Sequence, residues 1–306
     1  MRRRHGPARR RARVKILLFG KDGQVGWELQ RALAPLGELH ALGSDGADFA
    51  APESLAGTVR ALRPDVVVNA AAYTAVDRAE AEPALARRIN AEAPAVLARE
   101  AAAAGAWLVH YSTDYVFDGS GDTPRDEEAP TGPLNVYGRT KLEGEQAIQA
   151  SGVRHLVLRT SWVYGTRGGN FARTMLRLAQ ERDRLAVIDD QIGAPTGAEL
   201  IADVTAHAIR AAVAGCAPSG IYHLTAGGQT SWHGYACRVI EAARSKGLPV
   251  KVAREAIAAV PSSEFPTPAA RPKNSRLDTA KLRRTFGLVL PPWQDGVDRL
   301  LAEILG

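Results

Sequence analysis

From residue 14 onward, short apolar runs alternate with longer segments in which apolar residues recur at helical spacing. VKILLF at 14–19 is rich in strand formers, and helix-like sequence follows over 24–34. ELHAL then reads as a strand and residues 53–62 as a helix. The next strand, DVVVN at 65–69, has the unbroken apolar centre of a strand buried on both faces. An alanine-rich helix is predicted over 80–104 and a strand, WLVHYST, over 107–113. An irregular segment runs to Pro133, followed by a helix carrying Tyr137 and Lys141 and a strand, HLVLRTS, over 155–161. This alternation implies parallel strands joined by crossover helices, hence an α/β fold with a doubly wound, Rossmann-like sheet.

Beyond residue 165 the pattern loosens. A helix is predicted near 170–181, then the short strand LAVI, a helix near 198–214, the strand GIYHL and a last helix at about 294–305. Residues 14–165 are expected to form the sheet domain, with segments near 190–225 added to it. Residues 166–306 are expected to form mainly a smaller, partly interwoven C-terminal lobe that supplies the other wall of a cleft. The proline-rich stretch VPSSEFPTPAARPKN at 260–274 predicts a surface loop or lid.

Charge changes this picture only at the N-terminus. The chain has 306 residues and a formal charge of +6, which on its face suggests a polyanionic partner. Seven arginines and no acid lie in residues 1–13; removing those seven from 39 basic residues leaves 32 against 33 acidic ones. The body is therefore neutral, which argues against nucleic-acid binding. The tail is expected to be disordered and lacks the apolar core of a secretory signal. No run is long and apolar enough to span a membrane. Cys216 and Cys237 offer neither a disulfide framework nor a zinc cluster, and both read as packed thiols in a reducing, cytoplasmic protein.

Directly after the first strand, Gly20-Lys21-Asp22-Gly23-Gln24-Val25-Gly26 places three glycines at G-x-x-G-x-x-G spacing before a helix. Glycines there allow a tight turn and a close approach of backbone N–H groups to a pyrophosphate at a helix N-terminus. The position between the first strand and the first helix of a βαβ unit makes this a dinucleotide-binding turn. The acid that binds the adenosine ribose is expected at the end of the second strand. Gly43 stands there instead, in Leu42-Gly43-Ser44-Asp45. Loss of a carboxylate leans toward NADPH and leaves NADH open. Asp48 and Phe49 are placed to line an adenine pocket, and Ala72-Tyr73-Thr74 lies at the carboxyl edge of the sheet.

Delivery of a hydride to a ketone leaves an oxyanion that needs a proton. Tyr137 and Lys141 are four residues apart and share a helix face, so the ammonium is expected to lower the phenol's pKa from its reference of about 10. Ser112 and Thr113, at the strand end Tyr111-Ser112-Thr113-Asp114, supply hydroxyls to fix a carbonyl oxygen. Arg271 and Lys273, in the proline-rich stretch, are candidates to steer a diphosphate. His110, His207 and His233 show no ligand pattern and read as structural.

The glycine turn, the Tyr-Ser-Thr-Asp strand end and Tyr137-x-x-x-Lys141 resemble the extended short-chain dehydrogenase/reductase superfamily. The strings HYSTDYVFDG, PLNVYGRTKLEGE, RTSWVYG, DDQIGAPTGAEL and RPKNSRLDTAKL are similar to those of the dTDP-4-dehydrorhamnose reductases, and the likeness runs from Val14 to the C-terminus. It implies reduction of a dTDP-4-keto-sugar by NAD(P)H. Thr113 would orient the carbonyl, Tyr137 would donate the proton and Lys141 would tune it. Asp114 and Trp162 would meet the sugar. Gly20, Gly23, Gln24, Val25, Gly26, Asp48, Phe49, Ala72, Tyr73 and Thr74, with Tyr137 and Lys141, would contact the cofactor. The resemblance also implies a homodimer with Mg2+ bound by Glu28, Glu199 and Glu303, which on spacing alone read as surface charges. Another nucleotide-sugar reductase or epimerase, or a non-catalytic regulatory subunit of this fold, are the competing assignments.

Overall fold

The computed structural model describes residues 13–306; the arginine-rich tail, apart from Arg13, lies outside the described residues. The chain opens with β1 (Val14–Phe19), α1 (Gln24–Leu33), β2 (Gly37–Leu42), α2 (Glu53–Leu62) and β3 (Val66–Asn69). The alanine-rich segment is not one helix. It divides into α3 (Val76–Ala81), α4 (Pro83–Arg87), a π turn over Arg88–Glu92 and α5 (Ala93–Ala104). Glu82 leaves the helical region at φ −124° just before Pro83, which cannot donate a helical hydrogen bond and so begins a new helix.

β4 (Trp107–Thr113), α6 (Val136–Ala150) and β5 (Arg154–Thr160) follow. Asn135 caps α6, its side chain accepting from the Gly138 N–H at 2.8 Å. The short strand β6 (Val163–Tyr164) leads to α7 (Phe171–Glu181), β7 (Leu185–Ile188), β8 (Ile192–Gly193), β9 (Thr196–Gly197) and α8 (Ala198–Val213). The chain closes with β10 (Gly220–His223), β11 (Thr230–Ser231), α9 (Trp232–Ser245), β12 (Ile257–Val260), α10 (Ala280–Phe286) and α11 (Trp293–Leu305).

Among the described residues, six strands form one parallel sheet in the order β10-β5-β4-β3-β1-β2. The order reverses between β1 and β3, so the loops leaving their carboxyl ends part and open a crevice there. Apolar residues cover both sheet faces. Leu17, Val67, Leu108 and Val157 point to one core, and Ile16, Val68, Val109 and Leu158 to the other. β10 joins the sheet at its far edge, and α8 packs on α1. A separate core, with Leu176, Val187, Tyr235, Val239, Val297 and Leu301, joins α7, β7, α9 and α11. None of the described helices is long and apolar enough to cross a membrane.

Two expectations change. Cys216 is exposed, because it follows the end of α8; Cys237, inside α9, is half-buried. The proline-rich stretch is latched down rather than loose. Arg271 forms two hydrogen bonds to Asp77, at 3.1 and 2.7 Å, and Ala270 accepts from Asn135. Asn274 bonds the backbone of Ser120 and Thr123.

α6 is tied to the sheet by a buried ion pair. Glu145 accepts from Arg159 of β5 at 2.9 and 2.6 Å, and the two side chains are 1% and 3% exposed. Arg159→Leu leaves the Glu145 carboxylate buried without its partner. The substitution is expected to lower unfolding free energy by about 3–5 kcal/mol, read from urea titrations. A loss well below 1 kcal/mol would show that the pair does not fix the helix.

Candidate active site

The glycine turn closes as its spacing requires. Gly20 adopts φ +82°, and a Cβ on Gly26 would come within 1.9 Å of the Gly20 carbonyl oxygen. The first turn of α1 can therefore lie on the loop only with no side chain at position 26.

Two adjoining cavities occupy the crevice. One, of about 340 Å3, has Gly20, Gly23, Asp48, Phe49 and Ala72 among its lining residues. Phe49 packs edge-on against Phe19, with ring centres 5.7 Å apart. The other, of about 540 Å3, takes Gly23, Gln24, Val25, Ala72 and Thr74 from the cofactor set. Across from these it takes Thr113, Asp114, Tyr137, Lys141 and Trp162. Gly23 and Trp162, 139 positions apart in sequence, thus line one cavity. Tyr73 departs from the expectation: its phenol donates to Glu82 at 2.6 Å, and its side chain lines neither cavity.

Five residues of the larger cavity carry a buried polar atom without a hydrogen-bond partner among the described residues: Gln24 Oε1, Ser112 Oγ, Asp114 Oδ2, Thr160 Oγ1 and Ser161 Oγ. Unmet buried polar groups are rare, and such a cluster fits a polar ligand that would satisfy them. The glycine cradle and the two cavities together fit a nicotinamide dinucleotide with a second molecule at its reactive end.

The Tyr137–Lys141 pair is arranged differently from the sequence expectation. Lys141 is 2% exposed, and its Nζ donates to the Tyr111 carbonyl at 2.6 Å; His110 Nε2 lies 3.3 Å away. Burial pulls the ammonium down to about 8 while Glu145 opposes it. The Tyr137 phenol is pushed up to about 12, chiefly by burial, with Thr113 opposing and Asp114 adding to it. Burial dominates at the phenol, and the Lys141 ammonium makes its hydrogen bond to the β4 backbone while keeping its charge. Asp114 is pushed up to about 6 by burial, against hydrogen bonds from Ser275 and Thr113.

Trp162 holds φ +49°, an uncommon value for a bulky residue, and stacks on Trp232 at 3.7 Å between ring centres. A Cβ at Gly193 would come within 2.7 Å of the Trp162 ring, so the QIG turn and the indole depend on each other. Arg271 and Lys273 are not free cations: the first pairs with Asp77 and the second with Asp190 at 2.9 Å.

The three glutamates approach one another without forming a metal centre. Burial raises the Glu199 carboxyl, and Glu28 and Glu303 raise it further. Yet Glu28 pairs with Arg31 and Glu303 with Arg299. Among the described residues no group of three or more His, Cys, Asp or Glu side chains is arranged to hold a metal ion. The residues do not fit Mg2+ in a single chain.

The family model for the RmlD substrate binding domain matches residues 14–305. A dTDP-4-dehydrorhamnose reductase of Shigella flexneri is 58% identical over 295 residues, covering 95% of this chain and 98% of that protein. The chain belongs to the dTDP-4-dehydrorhamnose reductase family. Solved structures of this family agree in fold. The enzyme from Clostridium acetobutylicum superposes with a TM-score of 0.88 at 34% identity, covering 96% of this chain and 100% of that one. The Bacillus anthracis enzyme, in complex with NADP, gives 0.87 at 34% identity, covering 95% and 99%.

Several residues that shape this reductase site escaped sequence reasoning. Asn90, in the π turn, accepts from the Tyr73 N–H at 2.9 Å and donates to Thr140 of α6 at 3.2 Å. A π turn leaves no sequence mark, but single turns of this kind are frequent at functional sites. Asn69, at the end of an otherwise apolar strand, did carry a signal: a polar side chain where burial was expected. Gly26→Ala is expected to weaken NADPH binding on the order of tenfold or more, about 1.4 kcal/mol, in a fluorescence titration. Unchanged affinity would show that the turn does not hold the cofactor.

Proposed function

We propose that this protein reduces the C4 ketone of dTDP-4-dehydro-β-L-rhamnose to give dTDP-β-L-rhamnose, using NAD(P)H. The observation that carries the reading is the meeting, in one cavity, of the glycine-turn residues with Thr113, Asp114, Tyr137, Lys141 and Trp162. The nicotinamide cofactor, when bound, supplies the hydride. Gly23, Gln24 and Val25 hold it at one wall, with Ala72 and Thr74 beside them and Asp48 and Phe49 at its adenosine end.

Thr113 is the hydroxyl that orients the sugar carbonyl. Without a ligand its hydroxyl donates to Asp114 at 3.0 Å and accepts from the Tyr115 N–H at 3.2 Å, so the oxygen's position is set beforehand and its single hydrogen turns from Asp114 to the sugar carbonyl on binding. Tyr137 is the proton donor. Burial keeps the phenol protonated at neutral pH, which is the state a donor starts from, and the alkoxide formed at C4 is basic enough to take the proton. Lys141 contributes positive charge beside this step. Trp162, propped by Trp232, offers an apolar face to the sugar. A homodimer is part of the same proposal, checked by sedimentation; Mg2+ plays no part in the proposed chemistry.

Cofactor choice turns on a detail hidden from the sequence. A side chain at Gly43 would meet Asp22 Oδ2 at 2.0 Å and Asp45 Oδ1 at 2.9 Å. The carboxylate missing from position 43 is thus returned by Asp22 of the glycine loop, which supports use of NADH alongside NADPH.

Two measurements test the function. Tyr137→Phe is expected to keep cofactor affinity and to lose turnover by roughly a hundredfold or more with the dTDP-keto-sugar, since a positioned general acid contributes about 10²–10⁴-fold. Near-normal turnover would remove the phenol from its role. In Asp22→Asn, kcat/KM for NADPH relative to NADH is expected to rise roughly fivefold, the effect of about 1 kcal/mol for one unit charge in a water-like medium. An unchanged ratio would show that Asp22 does not face the ribose.

A further inference from the structure

Between the cofactor wall and the Tyr137–Lys141 pair lies a line of buried polar groups that the proposed chemistry leaves unused. Asn69, His110 and Lys141 are each no more than 2% exposed. Asn69 Oδ1 accepts from the Ala71 N–H at 3.0 Å, which fixes the orientation of the amide. The Asn69 atom 3.1 Å from His110 Nδ1 is therefore Nδ2, and it donates. A neutral imidazole whose Nδ1 accepts carries its hydrogen on Nε2. His110 is neutral, because burial holds it well below its ordinary value and the lysine charge holds it lower still.

That Nε2 faces Lys141 Nζ at 3.3 Å. An ammonium has only donors and cannot accept the Nε2 hydrogen. A neutral amine has one lone pair, so it can accept from His110 while still donating to the Tyr111 carbonyl. The groups around the lysine are few. Tyr137 and Glu145 lie on its own helix, and Glu145 is bound to Arg159 of β5. β4 contributes His110 and the Tyr111 carbonyl, and from β3 comes uncharged Asn69.

We propose that Asn69 and His110 are positioning residues for Lys141: Asn69 selects the imidazole tautomer, and the Nε2 hydrogen it places before the lysine sets how readily Lys141 gives up its proton. A lysine drawn down to about 8 agrees with this arrangement. Ala71 also lines the smaller cavity, so the same line of hydrogen bonds joins the cofactor wall to the lysine.

The proposal rests on the reductase function given above, and its test separates the two. Asn69→Asp keeps the shape of the side chain, but its carboxylate accepts from Nδ1–H and turns Nε2 into an acceptor for the ammonium. The alkaline limb of the kcat/KM profile is then expected to move up by about one pH unit, a tenfold change in proton affinity. His110→Gln, whose amide oxygen can face the lysine, is expected to move it the same way. A purely structural role would lower activity evenly and leave the limb in place. NMR of the full chain labelled with 15N-histidine reads the tautomer without turnover: hydrogen on Nε2 in the unaltered protein and on Nδ1 in Asn69→Asp. Hydrogen on Nδ1 in the unaltered protein, no change of tautomer in Asn69→Asp, or an unmoved limb in both folded variants overturns the proposal. Failure of the unaltered protein to reduce the keto-sugar would overturn the function instead and leave the tautomer result standing.

Discussion

An ammonium group buried at the centre of a protein must be given partners, and much of this structure can be understood from that requirement at Lys141. Removing a charge of this size from water costs several kcal/mol unless hydrogen bonds replace its hydration. The Tyr111 carbonyl of β4 supplies one. For that contact to hold, α6 must lie at a fixed height over the sheet. Asn135 sets its start, Asn90 bonds Thr140 on its flank, and the Glu145–Arg159 pair anchors it to β5. The lysine is thus a residue that the sheet, the helix cap and the ion pair jointly place.

The same arrangement brings the candidate catalytic groups together. Parallel strands point their carboxyl ends the same way, so β1, β3, β4 and β5 deliver the glycine turn, Ala72–Thr74, Thr113–Asp114 and Trp162 to one edge. The switch of strand order between β1 and β3 leaves room there for an extended ligand. The cluster of unmet hydroxyl and carbonyl oxygens around the larger cavity keeps that edge polar. Such a site is stable only because the surrounding cores are apolar and well filled.

What the sequence made legible follows from what local patterns encode. The strands and most helices were readable because hydrophobic spacing is local, and the glycine turn because only glycine tolerates its geometry. Tyr137 and Lys141 were readable as a pair but not in their orientation. Spacing of four residues puts two side chains on one helix face, while the direction of the ammonium depends on a strand 30 residues earlier. Asp22 could not be seen as a stand-in for an acid at position 43, since the two meet only when β1 and β2 lie side by side. The glutamates show the same limit: Glu28, Glu199 and Glu303 lie on three separate helices and come near one another only in the fold, with Glu28 paired to Arg31 and Glu303 to Arg299.

The central claim is that the Tyr137 phenol stands ready to protonate the sugar oxygen beside a nicotinamide held by the glycine turn. A crystal structure of the protein with NADP+ and dTDP-L-rhamnose tests it most directly. The account predicts the Tyr137 hydroxyl at about 3 Å from the sugar O4, within hydrogen-bond reach. A sugar bound in the same cavity with O4 turned away from Tyr137, and another donor at that distance, would contradict it.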